Sequence, residues 1–181
     1  MGSLVRAGND VFLSATQRDI KMTQPQLADI YRNEKILAVV TCSGLNMAII
    51  DTDAETFFFE LSPEPLKLGQ AVRSALQASR MFTHEEARIR FHPEARDREY
   101  ENWVAALMRR FGYKKRQAVF RRMNNCFVTK QQNIIEIRPM RHRRSDGWDG
   151  IDEKNFVYIP ETASDEEIGV AALLALSRCI G

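Results

Sequence analysis

Apolar and polar positions change rhythm along this chain. In residues 10–17 (DVFLSATQ), 35–41 (KILAVVT), 45–51 (LNMAIID) and 56–61 (TFFFEL), β-branched and aromatic residues gather in short runs, mostly separated by Gly, Asp or Pro. Such runs predict strands. The CSG at 42–44 predicts a turn between the second and third of them. After SPEP at 62–65 the apolar period lengthens. Leu68, Val72, Ala75, Leu76 and Ser79 fall on one helical stripe, with Gln70, Arg73 and Gln77 opposite. THEE at 83–86 fits a capping box, in which Thr83 accepts from the Glu86 amide and Glu86 reaches back. Residues 96–112 space Tyr100, Trp103, Val104, Leu107 and Phe111 as a helix, with Gly112 as a left-handed stop. A shorter helix is expected over 114–123.

The C-terminal part returns to strands. Residues 126–129 and 134–138 read as a hairpin across a polar turn, 146–152 (DGWDGID) as a loop and 155–160 as a further strand. A second capping box, Ser164 to Glu167, opens a last helix running to about Arg178. Its Ile168, Val170, Ala171, Leu173, Leu174 and Leu176 surround most of the circumference, so this helix is expected to be buried. Strands do not alternate one-for-one with helices. The order favours an α+β fold in which a mainly antiparallel sheet packs with several helices. At 181 residues, a single domain is expected, with a strand-rich part at 1–65, a helical middle at 66–123 and a hairpin, strand and helix at 124–181.

Composition narrows the function classes. The chain is 44% hydrophobic and 28% charged, as globular chains are. It has no apolar run near the ~20 residues that span a bilayer. The first ten residues, MGSLVRAGND, lack the apolar core of a secretory signal, and a cytoplasmic location is expected. Cys42, Cys126 and Cys179 are odd in number and widely spaced, which gives neither a disulfide framework nor a zinc signature. Candidate chemistry is sparse. His84 begins a metalloprotease-like HEEAR, but no second His follows four residues on. His92 and His142 have no metal-ligand spacing, and His142 sits in RHRR. Cys42 beside Ser43 and Gly44 suits a small residue at a turn better than a nucleophile. No catalytic, cofactor or metal residue is expected.

Binding features say more. Phe57, Phe58 and Phe59 cannot all face one core in a strand, so either both faces are covered or Phe58 and its neighbours meet a partner. Trp148, flanked by Asp146, Asp149 and Asp152, either anchors an acidic contact surface or plugs a loop against the core. The net charge of +2 hides a strong asymmetry: residues 1–65 carry −4, 66–104 carry +1, 105–144 carry +11 and 145–181 carry −6. The stretch 109–123 (RRFGYKKRQAVFRRM) holds seven cations, two Phe and a Tyr. That mixture raises the alternative of a small nucleic-acid-binding regulator using residues 109–144. Against it, Phe111 continues the Trp103–Leu107 stripe, while Val119, Met123 and Phe120 gather on or beside one face of the next helix. The aromatics are better explained by packing, with Lys114, Lys115, Arg116, Arg121 and Arg122 on the wet side, and a nucleic-acid partner is disfavoured.

The same segments carry a family resemblance. LGQAVRSALQASR (68–80), YENWVAALMRRFGYKKRQAVFRRMNNC (100–126) and VYIPETASDEEIGVAALLALSRC (157–179) resemble the CdiI immunity proteins of bacterial contact-dependent growth inhibition. The motifs W-V-x-x-L-M-x-R-x-G-Y-K and I-P-x-x-x-S-x-x-E-I-G carry it, and residues 1–65 match less clearly. The resemblance implies a cytoplasmic protein that binds and blocks the C-terminal toxin domain of a CdiA-type effector, often a nuclease, as a one-to-one heterodimer. In some relatives a toxin hairpin extends the sheet by β-augmentation. The family has no catalytic residues to transfer. With it, the charge map singles out Asp51, Asp53, Glu55, Phe58, Glu60, Asp146, Trp148, Asp149, Asp152 and Glu153 as toxin-binding candidates, whose acids would steer association with toxin cations.

Overall fold

A computed structural model describes residues 24–181. An eight-stranded, antiparallel sheet is its centre. The first strand, β1 (Gln26–Arg32), lies between β2 (Leu37–Gly44) and β5 (Asn124–Gln131). Beyond β2, β3 (Ala48–Ile50) and β4 (Phe57–Phe59) pair with different halves of its outer edge. Beyond β5 lies β6 (Ile134–His142), whose own outer edge takes β7 (Trp148–Gly150) and β8 (Val157–Pro160). Five α-helices complete the fold among the described residues: α1 (Pro65–Ala78), α2 (His84–Arg90), α3 (Pro93–Phe111), α4 (Arg116–Phe120) and α5 (Asp165–Ser177).

Strand alternation sorts side chains into two apolar layers. Ala28 and Ile30 of β1, Leu37 and Val39 of β2, Cys126 and Val128 of β5, and Ile135 and Ile137 of β6 pack beneath α1 and α5. On the opposite face, Tyr31, Ala38, Val40 and Cys42 pack with Trp103, Val104 and Leu107 of α3 and with Val119 and Phe120 of α4. β4 belongs to both layers. Phe57 and Phe59 join the first and Phe58 the second, so both faces of the Phe triplet are covered.

Several expectations hold at residue level. The two capping boxes are formed, Thr83 with Glu86 and Ser164 with Glu167. Gly112 ends α3 with φ 70°, a left-handed value that suits glycine. The β5–β6 hairpin turns through Gln132 and Asn133, both at positive φ, as a two-residue type I′ turn requires.

Others are corrected. The residues 42–44 are strand, not turn. Ser43 Oγ accepts from the Arg80 amide at 3.1 Å and the Gly44 amide donates to Arg80 O at 3.2 Å, which holds β2 extended; the chain reverses at 45–47, with Asn46 left-handed. The segment 146–152 is not all loop, because residues 148–150 pair with β6. The helix expected over 114–123 is only Arg116–Phe120, and Arg122 turns to φ 52°. Although α5 buries Ile168, Ala172 and Leu176, Val170 and Leu174 lie exposed. The strand over 26–32 was not expected at all, and the strand expected over 10–17 lies outside the described residues.

Candidate functional site

The two helix layers are unequal. α1 and α5 cover the first face of the sheet, while α3 and α4 cover the second face chiefly at its Tyr31–Ala38 end. What remains is a cleft of about 410 Å³ between the sheet, α3 and β7. Its floor comes from β1, β2 and β5, where alternation turns Asp29, Cys42 and Phe127 to this face. Its walls are aromatic. Tyr31 lies 5.3 Å from Trp103 and 5.5 Å from Trp148, between ring centroids, and Tyr100 stacks on Trp103 at 5.8 Å. The only two tryptophans of the chain both line this cleft. Asp97, Glu99 and Asp146 bring three further carboxylates to the lining, each already facing an arginine: Arg96 at 3.1 Å, Arg90 at 3.8 Å and Arg116 at 2.5 Å.

Asp29 is the least ordinary residue here. A carboxylate in the middle of an interior strand has no main-chain reason to be there. Its Oδ2 accepts from Tyr31 Oη at 3.0 Å and lies 3.5 Å from Cys42 Sγ. No cationic side chain pairs with it among the described residues. Burial pushes its pKa up, against hydrogen bonds from Asn125, Tyr31 and Cys42 that lower it. Burial, with the Asp29 charge, drives Tyr31 and Cys42 well above their ordinary values, so the Cys42 thiol stays protonated and is a poor nucleophile. Two polar atoms of lining residues are closed off from solvent without a hydrogen-bond partner: Trp103 Nε1 and Glu99 Oε2, the latter 3.8 Å from Arg90.

The candidates from the sequence fall into distinct places. Asp146 and Trp148 are brought together at the cleft. Asp146 accepts from Tyr100 Oη at 2.9 Å and from Arg116 Nη2 at 2.5 Å. Burial alone would raise its pKa, and these hydrogen bonds bring it below the ordinary carboxylate range. Trp148 donates its Nε1 to Met123 O at 2.9 Å and meets Phe120 edge-on at 6.1 Å, so it plugs against the second apolar layer while keeping one side on the cleft. Asp149 pairs with Arg143, Asp152 with Lys154 at 3.2 Å, and Glu153 accepts from Tyr158 Oη at 2.9 Å. These three continue away from the cleft along β7 and the short turn after it.

The N-terminal acids are differently placed. Asp51 is buried, 3.4 Å from Arg80 and 3.6 Å from Arg90. Asp53, exposed, pairs with the same two arginines, and Thr52 between them touches the cleft mouth. This internal pairing fixes the loop after β3 to α2 and occupies both carboxylates. Glu55 and Glu60 are exposed near β4. Phe58 lies under Arg110, 4.3 Å from its guanidinium, and beside Phe111 at 5.5 Å. The basic stretch is mostly solvated, with Arg109, Lys114, Lys115, Arg121 and Arg122 exposed. Its Phe120 and Met123 are buried, and Arg116 bridges Glu101 and Asp146. Among the described residues no group of three or more His, Cys, Asp or Glu is placed to hold a metal ion, and no helix is long and apolar enough to cross a membrane.

Asp29 and Tyr31 are absent from the expected site residues because β1 is absent from the expected strands, and Trp103 is expected only as part of an apolar helical stripe. The period-two placement of Leu27, Asp29 and Tyr31 against Ala28 and Ile30 was the available signal.

What these elements define is an α+β protein with one aromatic, acid-lined cleft on a half-covered antiparallel sheet. Residues 26–179 match the model of the CDI immunity protein family, CdiI, and the chain belongs to that family. It is 30% identical to the immunity protein CdiI-YPIII of Yersinia pseudotuberculosis serotype O:3 (strain YPIII), over 85% of this chain and 95% of that protein. Among solved structures it is similar to a Neisseria meningitidis protein described as of unknown function, with a TM-score of 0.84, 34% identity and coverage of 87% of this chain and 97% of that one. It is also similar to a chain of the CdiA-CT/CdiI toxin and immunity complex from Yersinia pseudotuberculosis, with a TM-score of 0.80, 26% identity and coverage of 87% and 99%.

Proposed function

We propose that this CdiI-family chain protects the cell that makes it by binding the C-terminal toxin domain of a CdiA-type effector, one-to-one and in the cytoplasm, and holding it inactive without chemistry of its own. The observation that carries this reading is the shared fold with a chain of a toxin–immunity complex, over nearly the whole of both chains. The chemistry of the cleft supports it. A thiol kept protonated, a carboxylate without a base or nucleophile to activate, and aromatic walls suit recognition and not turnover. The toxin that fits best is a nuclease. A nuclease presents a basic substrate groove, and this cleft, with Asp146 and the neighbouring Asp149, Asp152 and Glu153, offers acids. In this reading Trp148 and Asp146 lie at the centre of the contact, while Asp51, Asp53, Glu55, Phe58 and Glu60 lie toward its edge.

Co-expression tests the proposal. Cells producing the CdiA-type toxin domain encoded beside this chain should stop growing without it and grow normally with it. Continued arrest in the presence of folded, abundant protein would overturn the proposal.

A further inference from the structure

The cleft leaves chemistry unanswered. Asp29 stands at its floor, half-buried, with no cation in reach. Taking a carboxylate out of water without a counter-charge is unfavourable, and a partner that brings a cation removes that penalty. The rings of Tyr31, Trp103 and Trp148 line the same cleft, and aromatic rings attract cations through their quadrupoles. A lysine or arginine supplies both a charged head for Asp29 and an apolar stem to lie along the rings.

We propose that the cleft is a socket for one basic side chain of the toxin polypeptide, a lysine or arginine whose charge meets Asp29 between the aromatic walls. The inference rests on the proposed immunity function and names the chemistry by which that function selects its partner. Asp97, Glu99 and Asp146 on the lining already face Arg96, Arg90 and Arg116, which leaves Asp29 as the lining carboxylate that meets the incoming cation, where water is displaced. Dissociation is therefore slowed more than association is hastened.

Calorimetric titration with the toxin domain encoded beside this chain tests the socket, using the full chain and one conservative variant. Asp29→Asn keeps the shape and an acceptor for Tyr31 but removes the charge; it should weaken binding by about tenfold or more, mainly through faster dissociation. The melting temperature of Asp29→Asn should equal or exceed that of the parent, because a half-buried charge without a counter-charge is gone. A melting temperature that falls together with affinity would make Asp29 a structural residue and overturn the socket. Asp29→Asn binding as tightly as the parent would also overturn it, leaving the immunity function intact. Failure of the parent itself to bind would instead overturn the immunity function, and the socket with it. Neutralising the toxin's lysines and arginines one at a time should uncover one whose loss is not additive with Asp29→Asn. Additivity at every position would contradict the proposal.

Discussion

Gly69 of α1 and Gly169 of α5 lie against each other where the two helices cross. A Cβ on Gly69 would sit 2.9 Å from the Gly169 amide nitrogen and collide with the carbonyl of Asp165; a Cβ on Gly169 would collide with the carbonyl of Pro65. The obstacles are backbone, which cannot swing aside as a side chain does. This close approach lets Leu68, Val72 and Leu76 of α1 and Ile168, Ala172 and Leu176 of α5 reach the sheet together.

Gly169→Ala should therefore destabilise the fold by about 1–3 kcal/mol or more, despite the better helix propensity of alanine. Val170→Ala, at an exposed position of the same helix, should stay within about 0.5 kcal/mol. Urea denaturation of the two variants checks this. Equal stability would mean that the helices separate at no penalty.

Acid should loosen α2 in a defined order. The Thr83 amide donates to Glu86 Oε2 at 2.8 Å, and Arg80 Nη1 to Oε1 at 2.8 Å; together these lower the Glu86 pKa to about 2. A lowered pKa in the folded state means that the carboxylate stabilises the fold above its unfolded pKa near 4.5, and that this contribution disappears as pH falls toward about 2. Titration followed by carboxyl carbon NMR should give a midpoint near 2 for Glu86. A midpoint near 4.5 would contradict the capping box.

The three cysteines should react unequally. Cys42 and Cys126 are buried, and burial raises both pKa values well above the ordinary thiol. Cys179 is half-buried, 3.5 Å from Cys126 Sγ, and that hydrogen bond lowers its pKa against the opposing effect of burial. An aromatic disulfide reagent at neutral pH should label Cys179 first, and the other two only after unfolding. Peptide mapping that finds Cys42 labelled first would contradict the packing of the cleft floor.

How far the sequence disclosed this protein depended on whether the deciding interaction was local. The capping boxes, Gly112 and the polar turn between β5 and β6 are set by neighbours within a few residues, and they were legible, although the turn itself is only Gln132 and Asn133, with Lys130 and Gln131 in the strand. The triplet Phe57–Phe59 was legible as a question, since period two alone requires two faces, and the structure supplies two layers. β1 was not legible. Asp29 interrupts its apolar run, and its pairing with β5 joins residues about a hundred positions apart, Ile30 opposite Cys126. The exposed face of α5 was hidden too, because a helix apolar all round does not say which side the sheet takes. The site was half legible: Asp146 and Trp148 stood out by composition, but the Asp29 carboxylate on the cleft floor did not. Trp103 could be read as buried; that it also walls a cleft is known only from the packing.

Light scattering coupled to gel filtration, on this chain mixed with the CdiA-type toxin domain encoded beside it, tests the central claim most directly. The account predicts a single peak with the summed mass of one copy of each. Two separate peaks, each with the mass of its own component at micromolar concentration, would contradict it.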